Sequence, residues 1–274
     1  GEQERPRRDN RGGGSKNCGC HRAWRPHRCR ITHQYLTMTR FYAPDIKQTL
    51  TLPEGESGHC CRVLRLSEGD DVEAVDGKGT LYRCRIIDAH PRRTGIEIIE
   101  SIVEPRHWNP RITLALAPTK NMDRMEWLVE KAVEIGVDRI VFLDCEHSER
   151  RVVKPERIER IMVSAMKQSL KSRMPELTGM MPFADYVKEA DGGLRFMGYC
   201  DRNFPRKEFD KKYDGVSDVS LLIGPEGDFS PTEVAAAVEA GFIPVTFGNT
   251  RLRTETAALY ALFATHSAIS RLHQ

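Results

Sequence analysis

The sequence of 274 residues lacks any run of about 18 consecutive apolar residues, which is the length that a membrane-spanning helix needs. Its mean hydropathy of −0.50 fits that absence. It also lacks the short apolar core that follows the first basic residues of a secretory signal. We therefore expect a soluble, cytoplasmic protein with no membrane partner, and the length favours two domains.

The chain has little net charge of either sign, because 42 Lys and Arg residues stand against 39 Asp and Glu residues. The net charge of +3 is unevenly divided: residues 1–37 hold nine basic and three acidic residues, and residues 38–274 have a net charge of −3. The pI near 8.4 is therefore no argument that the body of the protein binds nucleic acid.

The eight cysteines lack the regular spacing of a disulfide framework, and a chain of this length can build its own hydrophobic core. We expect them to be reduced. Cys18, Cys20, His21, His27 and Cys29 are zinc-type ligands, but structural zinc sites separate paired cysteines by about two to four residues. We predict no metal site.

Residues 1–37 are rich in Arg and Gly and poor in aliphatic side chains, a composition typical of a disordered segment. Apolar patterning begins at Met38. One hypothesis is that Met38 is the native start and residues 1–37 are an upstream extension. The other is that they form a basic arm that helps to hold RNA. N-terminal sequencing of the native protein distinguishes the two.

Two regions with different patterns follow. Residues 38–106 alternate short apolar runs with turn signals, which predicts a small β-barrel with strands at 50–52, 63–66, 72–75, 81–87 and 96–99. The pair Asp76-Gly77 indicates a hairpin. Residues 107–274 predict a parallel sheet covered by helices on both faces. Its strands are predicted at 112–117, 139–143, 194–200, 219–223 and 243–247. One helix is predicted to start near Asp123 and stop at Gly136, and a second to span 155–171.

Two segments of the second region combine a strand end, glycines and a helix start. In the first, residues 221–233, a Gly-Pro-Glu-Gly turn precedes Ser230 as N-cap, Pro231 at the first helical position and Glu233 in a capping box. Loops at the carboxyl ends of parallel strands bind ligands. An ordinary strand-to-helix turn has a similar sequence, so this segment alone does not distinguish a ligand-binding loop from a simple connection. The second, residues 247–258, places two arginines and Thr254-Glu255-Thr256 before an apolar helix, more charge than capping needs.

These motifs resemble the ribosomal RNA small subunit methyltransferase E family, RsmE, of the SPOUT class. The matching text includes Ile223-Gly224-Pro225-Glu226-Gly227 with Phe229-Ser230, and Leu252-Arg253-Thr254-Glu255-Thr256-Ala257. Residues 120–135, Gln168-Ser169 with Arg173, Pro175 and Glu176, and the barrel motifs Arg40-Phe41-Tyr42, His59, Val63-Leu64-Arg65 and Gly69-Asp70 also match. The resemblance covers about 38–270.

The resemblance implies a PUA-like, RNA-binding β-barrel (38–106) joined to an α/β SPOUT methyltransferase domain (107–274) whose C-terminal part forms a trefoil knot, an exception to the rule against threaded chains. It implies a homodimer that uses S-adenosylmethionine to methylate N3 of one uridine, position 1498 in the usual numbering, in 16S rRNA of the small ribosomal subunit. The implied cofactor residues are Ile223, Gly224, Pro225, Glu226, Gly227, Phe247, Gly248, Leu252 and Arg253. Gly224, Gly227 and Gly248 are expected to permit close approach and positive φ.

Methylation of N3 requires removal of its proton and stabilisation of the uridine anion. The candidate bases are Glu226 and Glu255, and the candidate cations are Arg253 and Arg173. For each carboxylate, capping or orienting a loop is an equally good interpretation. The chain departs from the family at Leu170-Lys171, where many members have Gly-Arg. A phosphate role for Lys171 is therefore weaker than one for Arg173, since Lys lacks the bidentate fork.

Two other functions stay open. One is a non-catalytic RNA-binding or ribosome-assembly module with a degenerate knot. The other is a nucleotide enzyme whose loop binds phosphate, although the sequence has neither a G-x-G-x-x-G nor a P-loop lysine motif. RNA binding by an acidic body requires a local basic face, for which the candidates are Arg62, Arg65, Arg83, Arg85, Arg92, Arg93, Arg150, Arg151, Lys167, Lys171 and Arg173; scattered, solvated charges are the alternative.

Overall fold

The computed structural model describes residues 39–189, 192–201 and 204–272. The predictions for residues 1–37, including the Cys18 to Cys29 group, lie outside these described residues. The strands are β1 (Arg40–Tyr42), β2 (Asp71–Val75), β3 (Thr80–Asp88), β4 (Gly95–Val103), β5 (Ile112–Leu116), β6 (Arg139–Asp144), β7 (Glu176–Pro182), β8 (Leu194–Gly198), β9 (Lys207–Glu208), β10 (Val219–Ile223) and β11 (Ile243–Thr246). The α-helices are α1 (Ile46–Thr49), α2 (Glu54–Gly58), α3 (Met122–Ile135), α4 (Pro155–Gln168), α5 (Phe183–Glu189), α6 (Pro231–Glu239) and α7 (Thr254–Arg271).

The first sheet has the order β1-β2-β3-β4, and the Asp76-Gly77 turn joins β2 to β3 as predicted. Alternating residues of β3, among them Tyr82 and Ile86, point into a core around Phe41. Residues 50–52 run beside the start of β4, where the Leu52 amide donates to the Thr94 carbonyl at 2.9 Å. The chain that leaves β1 therefore returns to the opposite edge of the sheet.

The predicted strand at 63–66 is wrong. A π-helix at His59–Val63 continues α2, and the Leu66 amide donates to the Cys60 carbonyl at 3.1 Å. Arg65 has a φ of 56°, a left-handed conformation that a strand does not contain. Val63 is 67% exposed, so its apolar side chain is not part of a core.

The second sheet has seven strands in the order β7-β6-β5-β10-β8-β11-β9, and every pairing is parallel. Alternating residues of β5 face different cores: Leu114 packs with α3, α4 and α7, whereas Ala115 packs with α5 and α6. The prediction of an α/β fold with a parallel sheet covered on both faces is confirmed. The trefoil knot stays a prediction.

Two predicted strands are shorter than expected, and two further strands are present in the sheet. The strands predicted at 194–200 and 243–247 end at Gly198 and Thr246. Strands β7 and β9 were not predicted; β7 contains a glycine and a proline, and β9 has only two exposed residues.

Helix α4 ends at Gln168 rather than 171 because a Schellman motif stops it. The Lys171 amide donates to the Met166 carbonyl at 3.0 Å, and the Leu170 amide donates to the Lys167 carbonyl at 3.1 Å. Leu170 has a φ of 54°, the left-handed conformation that this motif normally gives to glycine. The departure from the family pattern at Leu170 therefore places a non-glycine residue in a left-handed conformation that costs backbone strain.

Candidate active site

Three loops enclose a cavity at the carboxyl edge of the parallel sheet. They follow β10, β8 and β11, which lie side by side in that order in the sheet although β8 comes first in the chain. The cavity has a volume of about 1160 Å³, slightly above the about 300–1,000 Å³ typical of small-molecule sites. All nine residues predicted for the cofactor line it: Ile223, Gly224, Pro225, Glu226, Gly227, Phe247, Gly248, Leu252 and Arg253.

The loop after β10 ends in the predicted capping box. The Ser230 side chain accepts from the Glu233 amide at 3.3 Å, and the Glu233 carboxylate accepts from the Ser230 amide at 2.9 Å. A Cβ at Gly224 would lie 3.0 Å from the ring of Phe229, so a larger residue there would push that ring by a few tenths of an ångström. The expectation of positive φ at Gly224 and Gly227 is wrong: within this loop the left-handed residue is Asp228, with a φ of 62°.

The loop after β11 turns at Gly248, whose φ of 115° requires glycine as predicted. Helix α7 then starts at Thr254. The buried Thr254 hydroxyl donates to the Gly224 carbonyl at 3.0 Å. This bond joins the β10 loop to the start of α7, so the two predicted segments form one site.

The loop after β8 also lines the cavity, and the sequence did not indicate it. A Cβ at Gly198 would lie 2.7 Å from the Phe247 ring, so this glycine lets the β11 loop pack against the end of β8. The Cys200 amide donates to the Asp228 carboxylate at 3.0 Å. The apolar pattern predicts a strand over all of 194–200 and so does not distinguish residues 199 and 200, which follow the end of β8 at Gly198.

Asp228 joins two of the loops through a partly buried carboxylate, which also accepts from the Phe229 amide at 2.9 Å. Burial raises the pKa of Asp228, and the amides of Phe229 and Cys200 and the charge of Arg251 offset this only in part. A negative charge at this position is therefore poorly stabilised by its surroundings.

The two candidate bases have different environments. The Glu226 carboxylate is exposed and accepts from the Lys120 amide at 3.1 Å, so it ties the β10 loop to the loop after β5. The Glu255 side chain is only 9% exposed, lines the cavity from the first turn of α7, and lies 3.8 Å from Nε of Arg124. Arg124 belongs to α3 and was not predicted as a site residue.

Arg253 and Arg173 lie in different places. Arg253 is the exposed N-cap residue of α7 and lines the cavity. Arg173 does not line it. Its guanidinium donates to the carbonyl of Lys78 at 2.8 Å and to that of Glu104 at 3.4 Å, in the four-stranded part of the molecule. This position gives no support to the predicted catalytic role of Arg173.

Lys171 lies beside Arg173 and is also engaged by the fold. Its half-buried ammonium donates to the Glu134 carbonyl at 2.8 Å, at the C-terminus of α3, and burial lowers the pKa of this amine. It therefore stabilises the C-terminal end of α3 rather than that of α4, the helix that it follows in the chain.

Most of the predicted basic face is paired within the chain. Five pairs involve carboxylates or carbonyls: Arg83 with Glu100, Arg85 with Asp71, Arg150 with the Lys120 carbonyl, Arg151 with Asp144, and Lys167 with Glu56. With Lys171 and Arg173, seven of the eleven predicted cations have partners. A continuous basic face across both sheets is not what the structure shows.

Among the described residues, no three His, Cys, Asp or Glu side chains come together as a possible metal site, and Cys60, Cys61, Cys84, Cys145 and Cys200 are free thiols. No helix in the described ranges is both long and apolar enough to cross a membrane.

Comparison with known proteins shows which family the chain is similar to. An RNA methyltransferase domain matches residues 106–266, which is more than half of the chain, and an RNA methyltransferase PUA domain matches residues 52–97. The ribosomal RNA small subunit methyltransferase E of Aquifex aeolicus is 30% identical over 80% of this chain and 95% of its own length. The chain belongs to the ribosomal RNA small subunit methyltransferase E family. The Synechocystis protein of that name is 29% identical over 79% of this chain and 72% of its own.

Solved structures agree with this membership. A probable rRNA-methyltransferase from Porphyromonas gingivalis is 44% identical, with a TM-score of 0.81 over 85% of this chain and 99% of its own. The family member of Neisseria gonorrhoeae, whose crystal structure contains S-adenosylmethionine, is 27% identical, with a TM-score of 0.76 over 84% of this chain and 98% of its own. The predicted SPOUT-type fold with a PUA-like domain before it is therefore confirmed.

Proposed function

We propose that this protein transfers a methyl group from S-adenosylmethionine to N3 of a single uridine, position 1498 in the usual numbering, of 16S rRNA in the small ribosomal subunit. The observation that carries the proposal is the cavity formed by the two family loops, which the Thr254–Gly224 hydrogen bond holds together. Family membership supports the methyl donor and the rRNA substrate.

The residues of the cavity fit S-adenosylmethionine. Four glycines line the site, Gly198, Gly224, Gly227 and Gly248, and a residue without a side chain can contact a ligand only through its backbone. An adenosine can use such backbone donors and acceptors together with apolar side chains, here Ile223 and Leu252. When bound, the sulfonium supplies an electrophilic methyl group, so the protein needs only to position the uridine and manage one proton.

Arg253 and Glu255 are the residues of this chain that we assign to that task. Arg253 presents its guanidinium at the cavity, where it stabilises the negative charge that develops on O2 or O4 as N3 loses its proton. Glu255 lies two residues away and faces the same cavity, and we assign it as the base that accepts the proton. Glu226 is used to fix the Lys120 amide, so Glu226→Gln should cost less turnover than Glu255→Gln.

We include a homodimer in the proposal. Its support is the outer face of α7, on which the neighbouring side chains Tyr260 and Phe263 are 39% and 61% exposed. Exposed apolar side chains along one helix next to a site are typical of a protein interface. Sedimentation of the full chain at a twofold mass is the expected result, and a monomer at micromolar concentration would contradict it.

The experiment that tests the proposed function is methylation of small ribosomal subunits from a strain that lacks the modification. After incubation with the protein and S-adenosylmethionine, mass mapping should find one added methyl group, on N3 of uridine 1498. A methyl group on another nucleotide would correct the site. Binding of subunits without any methyl transfer would favour the non-catalytic module.

A further inference from the structure

A loop that is not part of the cavity wall contacts the β10 loop. It comprises residues 145–148, which follow β6 and do not line the cavity. Nδ1 of His147 lies 3.2 Å from the carbonyl oxygen of Gly227 and 3.0 Å from that of Asp228. A Cβ at Gly227 would lie 3.1 Å from Cβ of His147, so the two loops pack closely at this point. Because Gly227 and Asp228 both line the cavity, His147 contacts the backbone of its wall without facing the ligand space.

The partners of His147 determine which ring nitrogen carries a proton. A carbonyl oxygen accepts hydrogen bonds and donates none, so both contacts require a proton on Nδ1. The His147 N–H therefore donates to two successive carbonyls, which restrains the orientation of both peptide groups. One of these groups belongs to Asp228, whose left-handed φ of 62° costs free energy in a residue other than glycine and persists only where its surroundings hold it.

Further hydrogen bonds fix the position of the His147 ring. The Glu146 amide donates at 2.8 Å to the Glu233 carboxylate, which also closes the capping box at the start of α6. Within the loop, the Cys145 amide donates to the Ser148 hydroxyl, and the Ser148 amide donates to the Cys145 carbonyl, each at 3.1 Å. The loop after β6 is therefore a folded turn that is anchored to the start of α6 and presents His147 to the β10 loop.

We propose that His147 is a positioning residue of this enzyme, which holds the peptide groups of Gly227 and Asp228 in the orientation that binds S-adenosylmethionine. The proposal rests on the proposed function for the role of the cavity. His147 acts through the β10 loop, because it does not line the cavity itself. Strand β5 lies between β6 and β10, so the contact reaches across the end of one strand. A loop that is held in its binding conformation need not be ordered by the ligand, and this raises affinity.

The test compares three substitutions of His147 in the full chain. His147→Leu removes the N–H. His147→Asn keeps a donor, because the amide nitrogen of asparagine is bonded to Cγ as Nδ1 of histidine is. His147→Asp has the shape of asparagine but carries only acceptors, which would face two carbonyl oxygens. The matched control is His90→Leu, which removes another exposed histidine, one whose Nδ1 accepts from the Arg92 amide at 3.3 Å between β3 and β4.

Calorimetric titration measures the affinity for S-adenosylmethionine, and amide hydrogen exchange without the cofactor measures opening of the β10 loop. We expect His147→Leu to bind about three- to tenfold more weakly, the equivalent of one hydrogen bond. The Asp228 amide, which donates to the Pro225 carbonyl at 2.9 Å, should exchange faster in this variant. His147→Asp should bind more weakly still. His147→Asn and His90→Leu should stay within about twofold of the wild-type affinity.

A role of His147 in fold stability alone gives a different result. His147→Leu would then lower the free energy of unfolding, while the folded chain bound the cofactor as the wild type does. That result overturns the proposal, and so does a His147→Asn variant that binds as weakly as His147→Leu. Unchanged exchange of the Asp228 amide in His147→Leu also overturns it. Failure of the proposed function is distinguishable, because the wild-type chain itself would then neither bind the cofactor nor methylate small subunits, and both proposals would be wrong.

Discussion

Two regions of the molecule contain family motifs: the cavity, and the junction where Lys171 and Arg173 contact Glu134, Lys78 and Glu104. The polar groups of the two regions have different partners. At the junction, the cations donate to backbone carbonyls: Lys171 to Glu134 and Arg173 to Lys78, each at 2.8 Å. At the cavity, the exposed guanidinium of Arg253 has no hydrogen-bond partner among the described residues. The junction uses its charges to hold the fold together, whereas the cavity leaves charge available for a ligand. A motif shared with a family is therefore not by itself a catalytic motif.

The largest expected effect separates Arg253 from Arg173. Arg253→Ala should lower the turnover number about 10²-fold or more, because it removes a cation at the developing negative charge. Its free energy of unfolding should change by no more than about 0.5 kcal/mol, since the side chain is exposed. Single-turnover methylation of small subunits and denaturant unfolding measure the two quantities.

Arg173→Ala should show the opposite pattern. It removes hydrogen bonds from a charged donor to two carbonyls, and because water can reach this exposed site we expect a loss of about 0.5–1.5 kcal/mol in the free energy of unfolding. Methyl transfer at saturating subunit concentration should stay close to that of the wild type at a temperature where the variant is folded. If Arg173→Ala abolished turnover while keeping its stability, the two regions would not differ as described.

Asp228 at the cavity and Asp76 near Arg173 should have pKa values on opposite sides of the ordinary aspartate pKa. Asp228, at the cavity, has a raised pKa because of burial, so stability falls as pH rises from 3.8 through the folded value. Asp76, in the turn that meets Arg173, is also disfavoured by burial, but hydrogen bonds from Thr80, Lys78 and Tyr82 outweigh it and lower the pKa. Its contribution to stability is present above pH 3.8 and is lost as pH falls through the folded value.

Carboxyl NMR titration of the intact chain measures both pKa values, with Asp228→Asn and Asp76→Asn for assignment. The order Asp228 above Asp76 is expected. The reverse order would mean that the cavity stabilises negative charge better than the junction does.

The smallest effect concerns the turn before Lys171. Leu170→Gly should raise the free energy of unfolding by about 1 kcal/mol, because a left-handed φ costs a non-glycine residue about 1–2 kcal/mol and glycine avoids this. Leu170 is 56% exposed, so little buried apolar area is lost. A shift in the melting temperature of about 2–4 °C upward is the readout. Leu170→Ala, which keeps the strain, is the control and should not be stabilised.

Local chemistry made several of these features predictable from the sequence. The capping box at Ser230 and Glu233 and the glycine stop after α3 depend on a few neighbouring residues, and the structure confirms them. The family resemblance assigned nine positions of the sequence to the cofactor site, and in the structure all nine residues line one cavity. Their role in cofactor binding stays a prediction.

The features that the sequence did not predict depend on contacts between distant segments. Nothing near Arg173 indicates that its partners are Lys78 and Glu104, which lie 95 and 69 residues away. The loop at Gly198 and Cys200 becomes part of the site only because β8 lies between β10 and β11 in the sheet. The apolar run at 63–66 resembles a strand, but hydrogen bonding within the π-helix decides its conformation.

Calorimetric titration with S-adenosylmethionine tests most directly the claim that the cavity is the cofactor site and the junction is not. Wild type and Arg173→Ala should bind one cofactor per chain with the same affinity. Gly198→Ala, whose new Cβ would lie 2.7 Å from the Phe247 ring, should bind at least about tenfold more weakly, since the β11 loop must move away. Equal binding by Gly198→Ala together with weaker binding by Arg173→Ala would contradict the account.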